Sequence, residues 1–378
     1  MKVIQKKFSS VTGWETLRED GFDPKLCNLV LVFGSVDLIS EKAMYVLIKE
    51  QYPNATVLMN STAGEIIDTQ VNDNSISLTA IYFEKTKIKT VIVDINKVKD
   101  SYEAGVKLAF GLESDGLKNV FVVSDGQKVN GSELVLGLQK SLPGGTIITG
   151  GLAGDGASFK RTLVGLNELP VEGRIVAIGF YGKSLSIKYG SYGGWDSFGP
   201  ERLITRSKAN ILFELDGKPA LDVYKMYLGD YASELPSSGL LFPLSIRNGD
   251  GNALVRTILA INEEEKSLTF AGNVPEGYYS RLMKTNFDRL IEGASTAAQN
   301  TIAEESNKPD LAILISCVGR KLVLDQRVEE EVEVIRTIFG NNTAITGFYS
   351  YGEISPSFNF LKCDLHNQTM TITTFTEY

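Results

Sequence analysis

Histidine is nearly absent. The 378 residues hold one, His366, so a histidine-rich zinc site is excluded and a Ser-His-Asp triad would have to rest on that single imidazole. Chemistry by carboxylate, lysine or cysteine stays open. The cysteines are few, odd in number and far apart: Cys27, Cys317 and Cys363. They make no disulfide framework. Long apolar runs are missing too, and none approaches the ~18 residues of a membrane span. The start of the chain, Met1 to Phe8, has no long apolar stretch behind its charges, so no signal peptide is read there. Basic charge is in deficit. Against 46 Asp and Glu stand 38 Lys and Arg, a net charge of −8, and an acidic chain is repelled by nucleic acid and by anionic membranes. The mild basic cluster from Lys85 to Lys89 reads as a solvated strand edge. A cytoplasmic protein with no membrane insertion and no nucleic-acid partner is expected.

What is present is repetition. Apolar runs at 29–33, 120–123 and 311–315 each lead into a polar turn, a helical segment and a second apolar strand. Each second strand ends in a short loop, at 61–65, 151–155 and 349–353, with Ala63-Gly64-Glu65, Ala153-Gly154-Asp155 and Tyr351-Gly352-Glu353 at its close. Repetition on this scale implies an architecture built by duplication. The hydrophobic fraction of 43% supplies full cores, and the length implies roughly two to three domains. The expected fold is α/β: repeated strand-helix-strand-strand units with mixed sheets. Two domains, 28–222 and 223–378, are expected to pack face to face, since no Pro/Ser-rich linker separates them.

Local patterns add detail. They predict a short helix at 14–18 and a helix at 38–51 burying Ile39, Ala43, Val46 and Leu47. A helix at 132–142 would be capped by Ser132. A crossing segment is read at 186–205, a hairpin at 255–270, and a long helix at 279–305. A helix near 328–339 should bury Val328, Val332, Ile335 and Phe339, with Glu329, Glu330 and Glu333 outside.

The candidate site residues cluster at the loop ends. A glycine after a strand lets backbone approach a ligand closely, and the carboxylate beside it can accept hydrogen bonds from an ammonium group or from its own turn. Ser61, Thr62, Gly64 and Glu65 form the first set, Gly151, Gly154 and Asp155 the second, and Tyr349, Tyr351, Gly352 and Glu353 the third. Residues 150–156 hold four glycines but lack the ending of a P-loop and the spacing of a dinucleotide fingerprint. Ser316 and Arg320 follow a buried strand, where α/β sheets commonly bind ligands. Arg320 can clamp a ligand carboxylate or pair with Glu353. Cys317 reads as a small buried residue with no visible base, and His366 as a surface-loop residue.

Several pieces, in order, resemble the FIST family of prokaryotic sensory modules: 61–66, 150–156, 227–229, 272–277, 316–320 and 347–354. The resemblance covers the chain from about residue 28 onward and is identified with an N-terminal and a C-terminal FIST domain. It implies intracellular sensing of a small polar ligand, with amino acids the usual class. Family members occur alone or fused to output domains. With no room for one here, a separate signalling partner is implied. Three alternatives stand beside it. One is a carboxylate-based or metal-assisted enzyme on a small metabolite, with Glu65, Asp155 and Glu353 converging. Another is an interaction module without a ligand. The third is a haem-based nitric-oxide sensor, for which His366 is the sole imidazole. No catalytic residue, metal ligand or cofactor is assigned.

Overall fold

The computed structural model describes residues 1–249, 253–302, 308–356 and 362–378. Each repeat places its leading strand between a parallel and an antiparallel neighbour. In the first, Leu29–Gly34 runs parallel to Thr56–Ser61 and antiparallel to Ser75–Tyr82. In the second, Leu117–Ser124 pairs likewise with Ile147–Leu152 and Arg174–Tyr181. In the third, Leu311–Cys317 pairs with Ala344–Ser350 and Met370–Glu377. A parallel pair needs a crossover, and a helix supplies it each time. An additional antiparallel strand flanks each third strand: Lys2–Ser9, Lys87–Asp94 and Leu185–Tyr192.

The Gly-acid loops interlock the three units. After each loop the chain leaves its own sheet and joins the next. Glu65–Ile67 pairs with Ala344–Ser350 of the third unit. Val164–Leu166 pairs with Thr56–Ser61 of the first. Gly352–Pro356 pairs with Ile147–Leu152 of the second. The exchange is cyclic, so each sheet is completed by a neighbour's strand.

Strand alternation sorts the core. Leu29, Leu31 and Phe33 meet Phe121 and Val123 of the second unit and Leu311, Ile313 and Ile315 of the third in one central cluster. Val30 and Val32 point the other way, onto Met44 and Ile48 of the crossover helix. Both faces of each leading strand are therefore covered, which is why these runs are almost continuously apolar. An eight-stranded sheet, built from strands between Asp196 and Lys284, is inserted between Leu185–Tyr192 and the helix Phe287–Gln299. It has its own core around Leu212, Leu221, Tyr224, Phe270 and Leu282.

Several local expectations are corrected. Residues 14–18 belong to a strand, Gly13–Glu19, paired with Lys2–Ser9, because the tertiary partner outweighs weak helical spacing. The helix at 38–51 is two pieces, Val36–Ile39 and Lys42–Gln51; Met44 and Ile48 are buried whereas Val46 and Leu47 are 40% and 45% exposed. Asn130, not Ser132, caps Gly131–Ser141, accepting from the Ser132 and Glu133 backbone at 3.1 and 3.2 Å. The segment 186–205 is mostly strand. The long helix at 279–305 begins as a strand, Tyr279–Lys284, with Ser280 and Leu282 buried in alternation, and the helix runs from Phe287 to Gln299. Residues 303–305 lie outside the described residues. His366 is half-buried on the strand Cys363–His366, not on a surface loop.

Candidate functional site

The three units meet at a cleft of about 740 Å³. The first unit contributes Ser35 to Asp37, the loop from Thr62 to Glu65, and Asp73 with Asn74. The second contributes Asp155 and the turn through Arg161, and the third contributes Val318, Lys321, Leu322, Asp325 and Val328. Both signs of charge line it: Asp37, Asp73, Asp155 and Asp325 against Lys160, Arg161 and Lys321.

Lys321 is the most constrained of these cations. Its ammonium donates to the Ala63 carbonyl at 3.0 Å and to Asp73, and it lies 5.7 Å from the centre of the Tyr349 ring. Gly64 makes this possible. Its φ of +141° suits glycine, and a Cβ there would come within 2.7 Å of the Lys321 nitrogen. Lys160 is exposed and has no ion-pair partner among the described residues, and Asp37 is likewise exposed and unpaired there.

The three loop carboxylates behave differently from one another. Glu65 accepts from Thr62 Oγ1 at 2.5 Å and from the Ser75 hydroxyl and backbone N–H at 2.7 and 3.1 Å. Glu353 repeats this in the third unit, with Ser350 Oγ at 2.6 Å and the Thr369 hydroxyl and N–H at 3.0 and 3.3 Å. Each ties its loop to the start of the third strand. Burial pushes their carboxyls up, to about 7 for Glu65 and about 8 for Glu353. The second unit does this job from elsewhere: buried Asp125 accepts from the Gly173 N–H and Thr162 Oγ1 at 2.7 and 2.8 Å. That leaves Asp155 at the surface, accepting from the Lys160 and Arg161 N–H groups at 2.8 and 2.7 Å and from the Tyr351 hydroxyl. Glu65 and Asp155 face the cleft, whereas Glu353 is sealed behind it. The three do not gather round one point, and among the described residues no three His, Cys, Asp or Glu side chains form a metal-holding group.

Arg320 is wholly buried and faces Glu331, not the cleft. Its Nε and Nη2 donate to Glu331 Oε2 at 3.1 and 2.8 Å, Nη2 also reaches the Leu290 carbonyl at 2.8 Å, and Nη1 reaches the Gly193 carbonyl. The other Glu331 oxygen accepts from Ser316 Oγ at 3.0 Å and Tyr349 Oη at 2.6 Å. Four groups from the third unit thus satisfy one another, and burial beside Glu331 raises the Tyr349 phenol well above its ordinary value. Of the candidate residues, Thr62, Gly64, Glu65 and Asp155 line the cleft, and Ser61, Gly151, Gly154, Ser316, Arg320, Tyr349, Tyr351, Gly352 and Glu353 stand behind its walls. Cys317 is buried, and desolvation pushes its thiol up, away from nucleophile chemistry.

Sequence reasoning passed over Glu331, Asp73, Lys160 and Lys321. Glu331 carried a signal: it stands three residues after Val328 and four before Ile335, on the buried face of its helix. Asp73 and Lys321 carried none, since 248 residues separate them and only the fold joins them.

Comparison with known proteins agrees with this geometry at the level of family. A FIST N domain matches residues 28–218 and a FIST C domain matches residues 220–356. The uncharacterized protein MJ1623 of Methanocaldococcus jannaschii is 26% identical over 234 residues, 58% of this chain and 42% of its own length. The chain thus spans less than half of that relative. A solved cyanuric acid hydrolase from A. caulinodans aligns over 94% of this chain and 91% of its own, at 8% identity and a TM-score of 0.34, too distant to bear on function. With both domain models matched in order along most of its length, the chain belongs to the FIST family, whose domains are associated with sensory and signal-transduction roles.

Proposed function

We propose that the protein is a sensory module that binds a small zwitterionic metabolite, of amino-acid type, in the cleft where the three units meet. The observation that carries this is the joint lining of that cleft by both signs of charge, drawn from all three units. A volume of about 740 Å³ is within the range of small-molecule pockets. Lys160, Arg161 and Lys321 suit a carboxylate, and Asp37, Asp73 and Asp325 an ammonium group. Ligand binding would join groups of different units, and that is how a signal could pass to a separate output partner in the cytoplasm. Among the described residues no helix is long and apolar enough to cross a membrane.

The test is a thermal-shift screen of the twenty amino acids and related zwitterions, followed by calorimetry on Lys160→Ala and Asp37→Asn. Both side chains are exposed, so neither change should move the melting temperature of the empty protein. Each should weaken binding by roughly tenfold, the loss of one charge-assisted contact. A flat screen, or affinity unaltered in both variants, would remove the proposal.

A further inference from the structure

A second cleft differs from the first in kind. It measures about 520 Å³ and lies between the third unit and the inserted sheet. Its walls include Tyr189, Tyr192, Trp195, Leu254, Val255 and Met283. In a chain with 22% charged residues, none of the described residues lining it is Asp, Glu, Lys or Arg. Such a lining penalises an ion and favours a flat apolar molecule, since aromatic walls offer large contact area with little rotamer entropy to lose.

The floor is held in place before any ligand arrives. The Trp195 indole N–H donates to the Gln368 carbonyl at 2.9 Å, which sets the plane of the ring. The Gly193 carbonyl is held by buried Arg320 and the Gly194 carbonyl by Thr285 Oγ1 at 2.7 Å. A site whose walls are already ordered loses less on binding.

His366 supplies one polar feature. Its Nε2 lies 3.1 Å from the Ser355 carbonyl. A carbonyl only accepts, so Nε2 carries the proton, and in the neutral ring Nδ1 is an acceptor. Burial favours the neutral ring. Haem does not fit these residues: among the described residues no Lys or Arg lines the cleft to receive its propionates.

We propose that this cleft is a second ligand site, separate from the charged one, for a neutral planar aromatic molecule bearing one hydrogen-bond donor. Ring stacking on Trp195 and the two tyrosines supplies contact area, and Nδ1 of His366 accepts from the donor. The proposal does not depend on the zwitterion reading of the first cleft.

The probe is N-phenyl-1-naphthylamine, which is neutral, aromatic and carries a single N–H. The sequence has two tryptophans, Trp14 and Trp195, so Trp14→Phe in the full chain leaves Trp195 as the sole donor for energy transfer to the bound probe. Saturable one-to-one binding with loss of Trp195 emission is expected. Val255→Phe, which fills the cleft, should weaken binding by at least about tenfold. His366→Phe should weaken it roughly fivefold, the loss of one hydrogen bond. Lys321→Ala, in the charged cleft, should leave it unchanged. A probe that fails to saturate, leaves Trp195 emission intact, or binds Val255→Phe as well as the parent would overturn the proposal. So would loss of binding in Lys321→Ala with retention in Val255→Phe.

Discussion

Arg320 and Glu331 are both sealed from water, and that decides what Arg320 does. A buried guanidinium with four of its five N–H donors engaged by a carboxylate and two carbonyls, and which does not line the charged cleft, is not placed to hold a ligand there. Removing one partner of such a pair leaves the other charged and desolvated. Arg320→Ala should therefore cost about 3–5 kcal/mol of stability, read by urea denaturation, and should leave the affinity of the charged cleft nearly intact in the folded fraction. Unchanged stability would contradict the network. The buried carboxyls make a second residue-scale prediction. Glu65 and Glu353 hold their protons more tightly in the folded chain, to about 7 and about 8, than an unfolded glutamate does at about 4.3. The stabilisation this gives is complete below the unfolded value and is lost as pH rises through the folded ones. Unfolding free energy should thus fall between about pH 5 and about pH 8, by at most roughly 1.4 kcal/mol per pH unit for each carboxyl. Glu65→Gln with Glu353→Gln should flatten that slope. An equally steep decline in the double variant would show that other groups titrate.

At the scale of elements, caps and alternation set the boundaries. Asn130 holds two free N–H groups of Gly131–Ser141, and its own amide donates to Asn273 Oδ1 of the inserted region at 2.9 Å. Asn130→Ala should lower stability by about 1 kcal/mol through the lost cap, measured by denaturant midpoint. Rescue by Asp, which keeps the cap but not the amide donor, would separate the two roles. Asn286 shows why the helix expected at 279–305 was too long. Its side chain caps Arg289 N–H, and the residues before it alternate buried and exposed. Both signals stand in the sequence, but Met283 falls at helical spacing with Phe287, Leu290, Ala294 and Ala297, and that carried the helical reading upstream. The first crossover helix failed differently. Its sequence offers two apolar stripes, and which one faces the sheet depends on the sheet.

For the whole molecule, the cyclic strand exchange has a kinetic and thermodynamic consequence. No unit can open without breaking pairs in a neighbour, because Glu65–Ile67, Val164–Leu166 and Gly352–Pro356 each complete another sheet. The slowest-exchanging amides of the three leading strands should share one opening free energy in native-state hydrogen exchange. Well-separated values for Leu29–Gly34, Leu117–Ser124 and Leu311–Cys317 would mean the units open independently. The sequence by itself determined the repeat, the strand-helix-strand-strand order and the apolar runs, because both-face burial and chain periodicity leave marks along the chain. It also marked the Gly-acid loops as special. Only tertiary structure decided what those loops do. Glu65 and Glu353 became ties because hydroxyls from the strand start closed round them, while Asp155 stayed at the cleft because Asp125 had taken its task. The partners Lys321 and Asp73, and the two clefts themselves, arise from segments far apart in the chain, whose proximity no local pattern encodes.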